Sequence, residues 1–170
     1  MIATLTRLES ALRVVFPQPT TVRFVLDAGC GAFETAGLLR EVFPEAFIVG
    51  VDRSLERIVY RHAAVSLVAD AARLPFSRRI EFDCILLRHP APFRSRAGWD
   101  AVCRAVPGWL APEGRVLVSC YDRDEMRLIE EALSHAGALK VRMPTDQLAP
   151  VALGGQDRFL AAFMVRPGKR

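Results

Sequence analysis

Three aspartates stand at the ends of successive strand-like runs. Asp27 closes Thr21–Asp27 (TVRFVLD), Asp52 closes Phe47–Asp52 (FIVGVD), and Asp70 closes Val65–Asp70 (VSLVAD). Between the first two lies the turn Gly29-Cys30-Gly31, with glycines where a backbone must bend sharply and let a ligand approach closely. An Asp at the end of a second strand is suited to accept both hydroxyls of a ribose. An Asp at the end of a third strand accepts from an exocyclic amine, with the N–H of Ala71 beside it to meet a ring nitrogen. One such Asp is an ordinary loop residue; three at successive strand ends describe a nucleoside site. Farther on, His89 follows the run Asp83–Arg88, and an imidazole there takes up a proton near neutrality, as a general base must.

The elements that position these residues alternate. Leu5, Leu8, Leu12 and Val15/Phe16 recur at helical spacing and predict an N-terminal helix over about 2–16, ended by Pro17 and Pro19. After the glycine turn, Leu38, Leu39, Val42 and Phe43 predict a helix over about 33–43. Ser54 is a natural N-cap for another after the second strand. The fourth strand is Asp83–Arg88 (DCILLR). A helix from about Ser95 carries Trp99, Val102, Cys103 and Val106 on one face and breaks at Pro107-Gly108. Arg115–Tyr121 is a fifth strand. Asp122 and Glu125 open a helix that ends at Gly137, and Leu139–Met143 and Arg158–Val165 read as two closing strands. Such alternation predicts an open α/β sheet with helices on both faces, which binds ligands outside the carboxyl ends of its strands. The residues there are Asp27–Gly31, Asp52, Asp70, Arg88–His89 and Tyr121–Asp122.

Composition narrows the class. The 170 residues fit one domain, 1–170, with a helical segment in 1–19 and a core over 20–166. Apolar residues make up 51% and charged residues 25%, which excludes disordered and fibrous chains. The longest apolar run, Phe159–Val165, falls far short of the ~20 residues of a membrane span. Met1–Pro19 lacks the pattern of a signal peptide, so a cytoplasmic chain is expected. The four cysteines Cys30, Cys84, Cys103 and Cys120 show no C-x-x-C pair and no histidines at ligand spacing. They read as free thiols, and no metal is expected.

The stretches VLDAGCGAFETAGLL (25–39), FPEAFIVGVDRSLERI (43–58), VADAARLPF (68–76), FDCILLRHP (82–90) and APEGRVLVSCY (111–121) together resemble the class I S-adenosylmethionine-dependent methyltransferases. The resemblance covers about residues 20–165. It implies a doubly wound, mostly parallel seven-stranded sheet whose last strand is antiparallel, inserted between the fifth and sixth. It also implies a methyl transfer from S-adenosylmethionine that leaves S-adenosylhomocysteine. The turn Asp27, Gly29, Cys30 and Gly31 would hold the methionine end, with Arg88 nearby. Asp52 would hold the ribose, with Arg53 following it, and Asp70 and Ala71 would hold the adenine. Two positions depart from the family. Phe33 stands at the usual third glycine, which places a ring near the cofactor. Arg53 stands where an apolar residue often packs on adenine, and a guanidinium can stack there instead. A dinucleotide turn reads G-x-G-x-x-G, and Glu34 occupies its last position, where a carboxylate would repel a pyrophosphate, which argues against NAD.

The acceptor side rests on fewer residues. His89 is the candidate base. Five arginines, Arg78, Arg79, Arg88, Arg94 and Arg96, crowd residues 78–96, and against the two acids Glu81 and Asp83 that window nets +3 of the chain's +4, which suggests an anionic acceptor. The loop Pro144–Asp157 is expected to lie over the ligand edge as a lid. The alternative is a non-catalytic, methyltransferase-like chain that binds the cofactor or a protein partner.

Overall fold

The computed structural model describes residues 6–54, 64–76, 80–152 and 155–165. The expected helix after Ser54, and Arg78 and Arg79, lie outside them. Helix α1 spans Arg7–Val15, with Thr6 as N-cap accepting the Glu9 N–H and Leu8, Ala11, Leu12 and Val15 buried. Strand β1 is Phe24–Ala28, α2 is Ala36–Val42, β2 is Phe47–Asp52, β3 is Val65–Val68 and β4 is Phe82–Arg88. Then come α3 (Arg96–Ala105), β5 (Leu110–Cys120), α4 (Arg123–His135), β6 (Ala138–Val141) and β7 (Phe159–Val165).

The seven strands form one sheet in the order β3-β2-β1-β4-β5-β7-β6. All neighbours are parallel except those of β7, which runs antiparallel to both β5 and β6. This is the expected architecture, down to the inserted last strand. Side chains alternate between faces along each strand. Val25, Ile48, Cys84, Leu86 and Leu117 pack on one face with Leu8, Leu12, Leu39 and Phe43 of α1 and α2. Leu26, Val49, Ile85, Leu87 and Val118 pack on the other with Val102, Ile129 and Leu133 of α3 and α4. Each fully buried Leu, Ile or Val contributes about 1.5–3 kcal/mol. The same alternation turns Asp27, Arg88 and Ser119 toward the α1/α2 face, and pairing of β4 with β5 sets Arg88 directly beside Ser119.

Among the boundaries that differ from the sequence expectation, three do so for clear local reasons. The first strand begins at Phe24 because Pro19–Thr21 form a 3₁₀ turn, and the N–H groups of Arg23 and Phe24 donate to the Asp83 carboxylate at 2.7 and 2.9 Å. Helix α2 starts at Ala36 because Cys30–Thr35 is turn, not helix. Strand β5 starts early, at Leu110, because Leu110 pairs with Phe82 across a register shift that Gly114 accommodates against the Phe82 carbonyl.

Candidate functional site

At the carboxyl ends of β1 and β4 the sheet opens into two adjoining cavities that share Gly29 and His89. The first, of about 290 Å³, is lined by Asp52, Arg53, Asp70, Ala71 and residues of the α3 N-terminus. The second, of about 270 Å³, is lined by Asp27, Cys30, Gly31, Glu34, Thr35 and Arg88. All three strand-end aspartates thus converge on one crevice, with Asp52 and Asp70 at one end and Asp27 at the other.

The glycine turn is fastened to β2. Gly29 and Cys30 both donate their N–H to the Val51 carbonyl, at 2.7 and 3.0 Å. Gly29 and Gly31 hold φ of +79° and +54°, conformations that favour glycine. Gly31 N–H donates to Asp52 Oδ2 at 3.0 Å, and Ser54 N–H donates to Asp52 Oδ1 at 2.9 Å. These two bonds fix the Asp52 carboxylate and leave each oxygen a lone pair for a ligand hydroxyl. Asp70 is exposed and accepts from Ala72 N–H at 2.9 Å, while Ala71 is buried at the cavity wall.

Asp27 is 1% exposed. Its Oδ2 accepts the Thr35 hydroxyl, whereas its buried Oδ1 has no partner among the described residues. Burial pushes this carboxyl up to about 6, against the pull of the Thr35 hydroxyl and the Arg88 guanidinium and with a further push from Asp52. Beside it, burial and then the charges of Asp27 and Asp52 push the Cys30 thiol up to about 12, so it stays protonated. The other three cysteines are buried and free. No three His, Cys, Asp or Glu side chains gather as metal ligands among the described residues.

His89 follows β4 with φ +49° and donates its N–H to the Ser119 carbonyl at 2.8 Å. Its ring stacks on Tyr121, with centroids 3.8 Å apart. Nε2 lies 3.3 Å from Asp157 Oδ1 and 3.4 Å from the Asp157 backbone N. Unprotonated, Nε2 accepts from that amide; protonated, it donates to the carboxylate. Asp157 also takes both prongs of the Arg88 fork, at 3.1 and 3.2 Å, and the Ser119 hydroxyl. Burial alone would raise the Asp157 carboxyl. Hydrogen bonds from His89, Arg88 and Ser119 overcome that and hold it well below the usual carboxylate range.

No family model and no curated protein matches the chain. Solved structures do match. A TehB-like SAM-dependent methyltransferase from Corynebacterium glutamicum is similar at TM-score 0.65 and 18% identity, over 95% of this chain and 89% of that one. The sugar N-methyltransferase KedS8 from a Streptoalloteichus species is similar at TM-score 0.66 and 18% identity, over 95% and 87%. The N-methyltransferase NodS from Bradyrhizobium japonicum gives TM-score 0.66 at 13% identity, over 94% of each chain. The fold is that of the class I methyltransferases.

Within this methyltransferase fold, several sequence expectations change. Phe33 was expected beside the cofactor, but its ring is 1% exposed and packs in the α1/α2 core. Its side chain occupies the room left by Gly50, where a Cβ would come within 2.8 Å of the ring. It does this at φ +54°, uncommon for a bulky residue. Gly29 lines both cavities, and on the side where a Cβ would stand the Trp99 ring lies 2.9 Å away. Arg53 lines the first cavity as expected and reaches the first turn of α3, its Nη2 lying 3.9 Å from a Cβ placed on Gly98.

The arginines do not converge. Arg94 lines the first cavity, Arg96 pairs with Asp100 at 3.0 Å and Glu131 at 3.6 Å, and Arg88 is held by Asp157. The loop of residues 144–157 is tied to α1: Arg7 donates to the carbonyls of Ala149 at 2.7 Å and Asp157 at 3.1 Å, and Ser10 Oγ accepts Ala149 N–H. Sequence reasoning missed Thr35, Trp99, Ser119 and Asp157. Only Thr35, inside the glycine-turn stretch, carried a local signal. No described helix is long and apolar enough to cross a membrane.

Proposed function

We propose that the chain is an S-adenosylmethionine-dependent methyltransferase, with Asp27, Gly29, Cys30, Gly31 and Arg88 around the methionine end, Asp52 and Arg53 at the ribose and Asp70 with Ala71 at the adenine. The observation that carries this reading is the unpartnered, buried Oδ1 of Asp27 beside the glycine turn, in one crevice with Asp52 and Asp70. A buried carboxylate oxygen without a donor is costly, and an ammonium placed there would satisfy it. The cofactor supplies an electrophilic methyl group on a sulfonium. The chain's own part is positioning and exclusion of water. Asp52 is pre-oriented by two backbone N–H groups, so its geometry needs no adjustment on binding. Trp99 covers Gly29, and Pro150, Val151, Gln156 and Asp157 wall the neighbouring side.

His89 is the proposed base. Tyr121 and Asp157 hold its ring at the junction of the two cavities, where it can take a proton from an acceptor. An anionic acceptor held by Arg94 and Arg96 has little structural support, since the two face different surroundings. For the non-catalytic alternative, the observation in favour is that the His89 Nε2 is already engaged by Asp157.

Calorimetry with S-adenosylhomocysteine tests the binding half. The wild type should bind, and Asp52→Ala, which removes charge-assisted hydrogen bonds of about 1.5–3 kcal/mol each, should weaken binding at least tenfold with the fold intact. Unchanged affinity would refute the assignment. Transfer of labelled methyl from S-adenosylmethionine then separates enzyme from binder.

A further inference from the structure

Three non-glycine residues hold a positive φ among the described residues, and two of them face each other: His89 at +49° and Asp157 at +53°. Such conformations persist where the surroundings over-determine them, and they gather at working sites. Here the surroundings are explicit. The His89 N–H donates to the Ser119 carbonyl, and the Asp157 carbonyl accepts Arg7 Nε from α1. The Asp157 carboxylate accepts from Arg88 on β4 and from Ser119 on β5, and Tyr121 covers one face of the His89 ring. Three elements thus hold one imidazole and one carboxylate in a fixed relation.

The two ring nitrogens see different surroundings. Nε2 faces Asp157, 3.3 Å from Oδ1 and 3.4 Å from the amide nitrogen. Nδ1 has no hydrogen-bond partner among the described residues, and it is not sealed from solvent. A neutral imidazole carries one proton, and the hydrogen-bond network decides which nitrogen bears it. With the proton on Nδ1, Nε2 would accept the Asp157 amide N–H but aim a lone pair at a carboxylate oxygen. With the proton on Nε2, the amide loses a neutral bond and the carboxylate gains a charge-assisted one, roughly twice as strong. Asp157 stays ionised, the cost of its burial outweighed by the donors around it, so the second arrangement wins.

Resting on the methyltransferase reading with His89 as its base, we infer that Asp157 is a positioning residue: it fixes the His89 proton on Nε2 and leaves Nδ1 as the atom that takes a proton from the acceptor. His89 lines both cavities of the crevice, so its free nitrogen serves that space. The engagement of Nε2 then readies the ring and does not block it. The step balances. The acceptor atom bonds to the methyl carbon as the carbon–sulfur bond breaks and its electron pair stays on sulfur. The acceptor's proton passes to Nδ1, the ionised Asp157 offsets the imidazolium, and Nδ1 later releases the proton to water.

Long-range proton–nitrogen correlation spectra of the full chain, isotope-labelled in its histidine rings, test this at pH 8.5, where an ordinary imidazole is neutral. Comparison with His89→Ala assigns the His89 signals. The wild type should show a protonated Nε2 and an unprotonated Nδ1. Asp157→Asn keeps the side chain's shape, and asparagine tolerates a positive φ. It should lower the ratio of Nε2–H to Nδ1–H at least threefold, whereas a merely structural role leaves that ratio unmoved. Diethyl pyrocarbonate, which attacks an unprotonated imidazole nitrogen, should modify the His89 peptide of the wild type. Saturating S-adenosylhomocysteine, by filling the crevice, should slow that modification at least threefold. A protonated Nδ1 in the wild type, a ratio unmoved by Asp157→Asn, or modification indifferent to the bound ligand would overturn the inference. The wild-type spectrum decides even where the variant does not fold. Calorimetric saturation with S-adenosylhomocysteine is read first: failure at that step overturns the methyltransferase reading itself, whereas saturation with a protonated Nδ1 overturns only the role of Asp157.

Discussion

Asp27→Asn should make the free protein more stable while making it a poorer binder. Burial lifts the Asp27 carboxyl from 3.8 to about 6. A folded-state value above the unfolded one means that the contribution to stability is fully present below about pH 3.8. It is lost as pH rises through about 6. Each tenfold change in proton affinity on folding is worth about 1.4 kcal/mol, so the ionised side chain costs the ligand-free fold about 3 kcal/mol above pH 7. Asparagine has nearly the same shape and can still accept the Thr35 hydroxyl, but it carries no charge to bury. Its amide leaves a donor where Oδ1 stood, which trims the gain to about 1–2 kcal/mol.

Urea unfolding of the two proteins at pH 4 and pH 7.5 isolates this group, because every other titrating residue is common to both. The variant should be more stable by that amount at pH 7.5 and less stable by about 1 kcal/mol at pH 4, a change of about 2–3 kcal/mol between the two. Calorimetry should show S-adenosylhomocysteine binding reduced at least tenfold, since an ammonium loses its counter-charge. A stability difference that is the same at both pH values would refute the buried-charge argument. Undiminished affinity would remove Asp27 from the site.

His89→Ala should lower methyl transfer about 10²–10⁴-fold while leaving S-adenosylhomocysteine affinity intact, with a smaller loss at high pH, as steady-state rates across pH will show. Phe33→Gly restores the family's glycine but should destabilise the chain by about 1–4 kcal/mol in urea. Losing a buried phenylalanine costs about 3–5 kcal/mol, and relief of the positive φ returns about 1–2. Asp157→Ala strands Arg88 and should cost about 3 kcal/mol, the low end for a broken buried pair, because the Arg88 side chain keeps 20% of its surface in water. Because the Asp157 carboxyl is held below its ordinary range, the wild type has this advantage above about pH 4 and loses it as pH falls further. Unfolding of both proteins at pH 2.5 and pH 7 checks that convergence.

What was legible in the sequence was what short periods encode. Phe47–Asp52 is the second strand as expected, and the aspartates at strand ends do meet in one crevice. Asp122 caps α4 through the Glu125 N–H. Asp157 was illegible. It stands 69 residues from Arg88, in a loop without periodicity, and its role exists only once β4 and β5 lie side by side. The arginine window misled for the converse reason: Arg94 and Arg96 are near neighbours along the chain, yet one lines a cavity and the other pairs with α3 and α4 carboxylates. Phe33 misled because motif position gives where a backbone runs, not which way a side chain turns.

The seating of Phe33 over Gly50 also constrains how this chain could have diverged. A larger residue at 50 collides with the ring, whereas a smaller residue at 33 leaves an unfilled space. Substitution at 50 is closed until 33 has shrunk, and the Cys30 sulfur, 2.9 Å from where a Cβ at 50 would stand, must give way as well. Bulk at 33, 50 and 30 is therefore coupled, and none of the three positions is informative alone. A motif search that requires glycine at 33 rejects this chain for a feature whose counterpart lies 17 positions away on the next strand.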